Sequence, residues 1–305
     1  MKSAIFKILC MTCIVMGCQT AEIEEDKLGN FDISPDVKTI VFSYYKKGIS
    51  SIYTANIDGS NVRLLLSQTD SSFVNPAFSP DGNRIIYIKH KKGIWSGLLS
   101  MADLNGKSRQ TLIKQPGLIT EAVFLTDSRI VFCLANEYDS YSPLANKDAH
   151  GFDLYALNVT NKSIVKLSKL DAFGLNQLAR KDSSHLLIHI EGSMEDSGVY
   201  MFSMNQKNSL RRIRPKNDPR DGIYYNSSYN SNSKSLVLVA PYEIYTMHLD
   251  SMIAKVMYES DSHIQNIKFA DEKLVFFSKH GEFNTIFKMN LTSDILSEIK
   301  INSIP

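Results

Sequence analysis

The densest collection of chemically capable side chains lies between Ala135 and Asp153, in the run ANEYDSYSPLANKDAHGFD, which holds Glu137, Tyr138, Asp139, Tyr141, Asp148 and His150. Carboxylates and carbonyls at this density could hold a calcium ion, and the tyrosines could stack on a sugar ring. Their spacing matches no EF-hand or other specific metal pattern, so a polar, mobile loop that meets a protein partner weakly, or meets nothing at all, is the plainer reading. No cofactor is expected, with structural calcium as the one ion these carboxylates leave open. A second group, Arg211, Arg212 and Arg214, with Lys216 and Arg220 close by, is the only dense basic cluster. On an outer strand such residues discourage sheet-to-sheet pairing. The alternative use is docking of an acidic partner or an anionic glycan.

Signatures of catalysis are missing. The chain has no Gly-x-Ser-x-Gly elbow, no His-Glu-x-x-His and no cysteine pair for zinc. Its seven histidines are scattered. His185 and His189 would share one face of a strand but lie roughly 13 Å apart, too far to chelate one ion. Cys133 sits inside the apolar run Ile130 to Leu134 with no basic neighbour to lower its pKa, as expected of an inert buried thiol. No catalytic residue is assigned, although lyase or glycosidase chemistry assembled from carboxylates on separate elements stays open as an alternative.

The elements that must position these groups repeat. Apolar runs begin at Ile40, Ile85, Ile130, Leu186, Leu236 and Leu274, with start-to-start spacings of 45, 45, 56, 50 and 38 residues. Each is followed by a second run of alternating polarity, such as SIYTANI or EIYTMHL, and then by a third. A fourth, such as Asn75 to Ser79 or Gln265 to Phe269, precedes it. Four strands per period with no helix-period stretch between them make a blade. Ser79-Pro80-Asp81-Gly82 has the residues of a type I turn between the first two strands, and Ser34-Pro35-Asp36-Val37 is its degraded copy. Asp58-Gly59 and Asn105-Gly106 predict tight type I′ hairpins on the same end of the blades. The expected fold is an all-β, six-bladed propeller of four-stranded antiparallel blades over residues 31–301, with a short tail at 302–305. A seventh blade concealed in Ala135 to Asp153 is the alternative. Ile23 or Phe31 could lend a closing strand to the last blade.

Residues 78–112, FSPDGNRIIYIKHKKGIWSGLLSMADLNGKSRQTL, resemble the WD-like propeller repeat of the TolB family, with its Ser-Pro-Asp-Gly turn, apolar strand, Asp-Gly-type hairpin and Arg-x-x-Leu ending. The likeness is strong in the first two repeats and is carried by spacing in the others. It implies six blades closing on themselves. TolB proper places an α/β domain before its propeller, whereas here a short tether leads into the first blade. In such a ring the first strand of each blade lines the central channel. Tyr224, Tyr225 and Asn226, at the opening of the fifth repeat, are therefore candidates to line it; they could bind a small polar ligand, although a wet structural channel lined with polar groups is the plainer reading. The long insertions fall between second and third strands, on the face opposite the Ser-Pro-Asp-Gly turns, where a binding surface is expected.

The first 17 residues carry Lys2 and Lys7, no acid, and an apolar stretch from Ile8 to Met16, the layout of a secretory signal. Val15-Met16-Gly17-Cys18 resembles the bacterial lipobox, which implies cleavage after Gly17 and lipidation of Cys18. Residues 18–30 then form an acidic tether between lipid and blade one. Without residues 1–17 the chain has 288 residues, with 32 basic and 32 acidic side chains, so the formal charge of +2 belongs to the signal. A neutral exported chain gives no footing for nucleic-acid binding. With Cys18 lipidated and only Cys133 left, no internal disulfide can form and core burial must hold the domain. The expectation is a lipid-anchored, monomeric envelope protein on the periplasmic or extracellular side. It would meet the membrane only through its anchor and would bind an envelope protein partner, with a glycan as the alternative ligand.

Overall fold

The computed structural model describes residues 26–91, 97–114, 117–140, 147–192, 196–205, 209–218, 224–230, 232–301 and 304. Cys18, Ile23, Tyr141 and Arg220 lie outside the described residues. Strands pair only with their neighbours in sequence, giving six four-stranded antiparallel sheets. Blade one is β1 Lys27–Ile33, β2 Thr39–Lys46, β3 Ile49–Asn56 and β4 Arg63–Leu66; blade two is β5 Ser71–Phe78, β6 Arg84–Lys91, β7 Gly97–Asp103 and β8 Gln110–Thr111. Blade three is β9 Leu118–Thr126, β10 Arg129–Ser140, β11 Lys147–Asn158 and β12 Ile164–Lys166; blade four is β13 Gly174–Arg180, β14 His185–Glu191, β15 Gly198–Ser203 and β16 Ser209–Arg212. Blade five is β17 Asn226–Asn230, β18 Ser235–Ala240, β19 Glu243–His248 and β20 Ala254–Glu259; blade six is β21 Ile264–Phe269, β22 Leu274–Lys279, β23 Thr285–Asn290 and β24 Ile295–Lys300. β1 starts at Lys27, so the propeller takes in the last residues read as tether. Phe31 belongs to blade one, not to the last blade.

The apolar runs are second strands, and they are apolar on both faces because each blade is packed from both sides. Ile40 to Tyr44 and Ile85 to Ile88 are buried without a break. Each seam between neighbouring blades is one apolar cluster. Val41, Ile52 and Leu66 meet Phe73, Ile85 and Tyr87 at the first, and Val237 and Ile244 meet Ile267, Phe277 and Phe287 at the fifth. The ring closes at the sixth, where Phe31, Ile40, Phe42 and Tyr53 pack on Phe276, Ile286 and Ile299. Among the described residues no strand is exchanged there, and hydrogen bonds cross from Leu28 N–H to Phe283 O at 2.7 Å, from Tyr44 Oη to Asn284 Oδ1 at 2.8 Å and from Lys46 Nζ to Ile304 O at 3.2 Å. Cys133 is wholly buried in the cluster between blades three and four, and that burial pushes its thiol up.

Turns behave as their residues dictate, with one correction. Gly82 N–H bonds Ser79 O at 2.9 Å and Gly82 takes φ 71°, while Val37 holds the same place in blade one at φ 57°. The aspartate of this turn outlasts the motif. Asp36, Asp81, Asp182 and Asp271 each accept from the backbone N–H two residues on, and Asn230 does so in blade five. Asp58-Gly59 and Asn105-Gly106 do not form type I′ turns, since only the glycines have positive φ, 83° and 67°. Gly59 N–H bonds Asn56 O and Gly106 N–H bonds Asp103 O, so each hairpin is a type I turn ending in a left-handed glycine. Asp58 and Asp103 carboxylates accept backbone N–H groups inside these turns, which favours that form.

Candidate functional site

The channel is lined by the first strands, which are edge strands whose inward N–H groups need partners. The register of β1, β5, β13 and β21 slips against the second strand at Leu28/Phe31, Val74/Ala77, Asn176/Ala179 and Ile264/Ile267. Asn75 and Gln177 take left-handed backbone at two of these bulges, with φ 52° and 56°. Side chains from one blade then serve the backbone of the next. Asp32 Oδ2 accepts from Phe78 N–H at 2.9 Å, Glu121 Oε2 from Leu178 N–H at 2.7 Å and Ser228 Oγ from Phe269 N–H at 2.9 Å. Asn75 Nδ2 donates to Thr120 O at 2.6 Å and Asn226 Nδ2 to Gln265 O at 2.9 Å.

What remains of the channel is a polar space of about 240 Å³ opening between the Ser34-Pro35 and Ser79-Pro80 turns. Asp32 and Glu121 are partly buried there, and desolvation pushes both carboxyls up against the opposing pull of Lys268 and of the backbone N–H groups they accept. Two carboxylates beside a lysine could in principle move a proton. Each is already bound to the neighbouring blade's backbone, which is work for a strut between blades.

The opposite face carries the elaboration. Ala135 to Asp153 is not a loop concealing a seventh blade. Its described residues, 135–140 and 147–153, extend β10 and β11, which stay in register from Arg129↔Asn158 out to Ser140↔Lys147. At the far end the apolar alternation stops, and ladder hydrogen bonds continue the ribbon together with polar side-chain contacts such as Asn136 Nδ2 to Gly151 O at 2.8 Å. Glu137, Asp139 and His150 converge on one side of this ribbon. His150 Nε2 lies 2.6 Å from Asp139 Oδ1 and His150 Nδ1 lies 3.3 Å from Glu137 Oε2. One ligand atom from each residue falls within 4.8 Å of the others, close enough for a shared cation. The hydrogen bond to Asp139 is the chief cause holding the His150 pKa above its ordinary value, and Glu137 and Asp171 add to it. Tyr138 points outward beside them, and Asp148 turns onto the Ala149 N–H.

The candidates for the channel part company. Tyr224 precedes β17 and swings into the apolar seam between blades four and five, edge-on to Tyr245 at 5.7 Å, so it does not line the channel. Asn226 is buried and spent on Gln265 O and the Ser227 N–H. Tyr225 stands at the channel's mouth on the loop-bearing face, a groove of about 610 Å³ that shares Asn30, Gln177 and Asn266 with the channel and is also lined by His263, Lys279, His280 and Phe283. Its hydroxyl bonds Ile264 O, its ring stacks on His263 at 6.2 Å, and burial pushes its pKa up. Arg211, Arg212 and Arg214 lie on and just beyond the outer strand β16. Arg212 donates to Ser197 O at 2.7 Å and sits over the Tyr200 ring, and Arg214 pairs with Asp218, so two of the three are committed within the fold.

Sequence reasoning missed the distribution of exposed apolar groups. Among the described residues the exposed large aliphatics, Leu64, Val165, Ile253, Val256, Ile295 and Leu296, lie on or beside outermost strands. The exposed aromatics, Tyr138, Phe173, Tyr242 and Phe283, are 40–50% exposed, and all lie on the loop-bearing face of blades three to six. Their signal in the sequence is faint: each stands outside the apolar stretch of its nearest strand, where no alternation marks it.

Solved structures share this architecture. The fold is similar to that of TolB. A TolB from Acinetobacter baumannii superposes with a TM-score of 0.67 at 13% identity, over 91% of this chain and 64% of that one. The chain thus spans somewhat under two thirds of that TolB's length. A chain of a nidogen–laminin complex matches with a TM-score of 0.64 at 11% identity, over 90% of this chain and 93% of its own. An oligogalacturonate lyase in complex with manganese matches with a TM-score of 0.57 at 13% identity, over 88% and 77%. No protein-family model and no curated protein sequence matches the chain. At these identities the likeness establishes the propeller, and the function has to come from the surface.

Proposed function

We propose that this chain is a lipid-anchored envelope protein whose propeller binds a protein partner through its loop-bearing face. One observation carries the reading: every exposed aromatic among the described residues stands on that face, along an arc from blade three to blade six. Aromatic rings are the side chains most enriched at protein interfaces, because they bury large area at little conformational cost. The channel supports the same reading from the other side, since its carboxylates are bound to neighbouring blades. The lipobox-like Val15 to Cys18 supplies the anchor and the envelope location.

Photoreactive residues in place of Tyr138, Phe173, Tyr242 and Phe283, irradiated in living cells, should give discrete protein adducts. The same residues in place of Lys107 and Asp250, in hairpins of the opposite face, should give none. Adducts from the opposite face alone would overturn the reading. The second reading, a glycan ligand held near Tyr225, rests on the aromatic and histidine lining of the 610 Å³ groove. It requires that the soluble chain bind oligosaccharides on a glycan panel and that Tyr225→Ala abolish the binding.

A further inference from the structure

The start of the propeller is itself on the aromatic face. Asp26 accepts from Lys47 N–H in the β2–β3 turn, and Lys27 borders the groove that holds His263 and Phe283. From Cys18 to Asp26 the chain has eight Cα–Cα steps, a span of at most about 28 Å when fully extended. To lay the opposite face on a membrane, that span would have to cross the three strands outside β1, about 14 Å, and then run down the wall of the blade. The wall is the length of an eight-residue strand such as β2, about 26 Å. The required path of about 40 Å exceeds the reach. That reach excludes the opposite face and leaves the aromatic face, its rim and the upper part of the adjoining wall as what the anchor can bring to the bilayer.

Charge selects what that face meets. Along the aromatic arc the exposed ends carry Glu137, Asp139, Asp171, Glu191, Asp261 and Glu282, against Lys147 and Lys169 and against Arg212 and Arg214, which are committed to Ser197 O and Asp218. Blades one and two, where the tether enters, carry Lys27, Lys46, Lys47 and Lys91 against Asp26 and Asp70. An acidic, aromatic arc is repelled by anionic headgroups and attracts cationic polypeptide, whose arginines can both pair with carboxylates and stack on rings.

We infer that the anchor turns the aromatic face toward its own membrane, and that the arc on blades three to six receives a cationic segment of a protein embedded in that membrane. This rests on the proposed lipidation of Cys18. The two can fail separately.

With Cys18 lipidated and Cys133 buried, an introduced cysteine is the one accessible thiol. The mature lipidated chain carrying dye at Ser262→Cys, on the aromatic face, or at Ser251→Cys, on the opposite face, would be reconstituted in phosphatidylcholine vesicles containing an acceptor lipid. Energy transfer should be clearly higher from position 262, and equal or higher transfer from 251 would overturn the orientation. If the Cys18→Ser chain partitions into membranes like wild type, the anchor reading falls instead. For the occupant, a labelled oligo-arginine peptide should bind the soluble Cys18→Ser chain and lose that binding when Glu137, Asp139, Asp261 and Glu282 are all replaced by Lys. Retained peptide binding would overturn the assignment of the arc. Binding of the soluble chain to phosphatidylglycerol vesicles would replace the protein occupant with a lipid surface.

Discussion

Glu121 offers the sharpest test of whether the channel is a strut. Its carboxyl lines the channel partly buried, accepts from Leu178 N–H in the next blade, and is pushed up from its ordinary 4.5 by desolvation. On unfolding it returns to that value, so between the two pKa values the folded chain holds a proton that the unfolded chain has released. Stability contributed by Glu121 is therefore complete below pH 4.5 and is lost as pH rises toward the folded value. The slope is at most about 1.4 kcal/mol per pH unit for one proton. Glu121→Gln leaves an oxygen to accept the Leu178 N–H and removes the titration. The unfolding free energy of the variant minus that of wild type, from urea melts at successive pH values, should be level in acid, rise across the interval and then plateau. Other groups titrate nearby, notably His189, whose burial lowers its pKa and which acts with the opposite sign below 6.5. They are common to both proteins and cancel in the subtraction. A difference that stays constant from about pH 4 to about pH 8, or that falls, would refute the buried-strut account. Asp32→Asn should behave alike, since the same cause raises the Asp32 carboxyl above 3.8.

Two further expectations concern the ends of the ring. Val37 has a β-branched side chain at φ 57° where blade two places Gly82, so Val37→Gly should raise the urea midpoint, with a gain of up to about 1 kcal/mol. An unchanged or lower midpoint would mean that the packing of Val37 beside the closing seam outweighs its backbone strain. Tyr44→Phe removes the hydroxyl that bonds Asn284 across that seam and should cost about 0.5–1.5 kcal/mol. Amide exchange in β1 and β23 should quicken more than in β9 or β13. Uniform quickening would argue that the seam does not open by itself.

The blades were legible because a second strand packed on both faces must be apolar throughout, and runs such as IVFSY and IIYIK stand out at regular spacing. The turns were legible wherever Asp or Asn survives, since one side-chain acceptor suffices to hold them. The ribbon of β10 and β11 was not. Beyond Leu134 it buries little, so Glu137 to Ser140 lack the alternation by which a strand is recognised. Tyr224 was misplaced because whether a side chain enters the channel or a seam depends on where β17 begins to pair, which the run IYYNSSYN does not mark. The convergence of Glu137, Asp139 and His150 needs the register of two strands separated by a turn, and the belt of bonds around the channel needs the packing of blades whose residues are more than forty positions apart. Neither is encoded in a local pattern.

The closing seam has a consequence for descent. Because every sheet is made of four successive strands and none is borrowed across the ring, a blade is a self-contained cassette, and copying or losing one leaves the threading of the others intact. A ring of this kind can change its number of blades by duplication in a single genetic step. The fading of the Ser-Pro-Asp-Gly turn from blade two outward is what copies look like after each has been free to drift around one retained aspartate or asparagine.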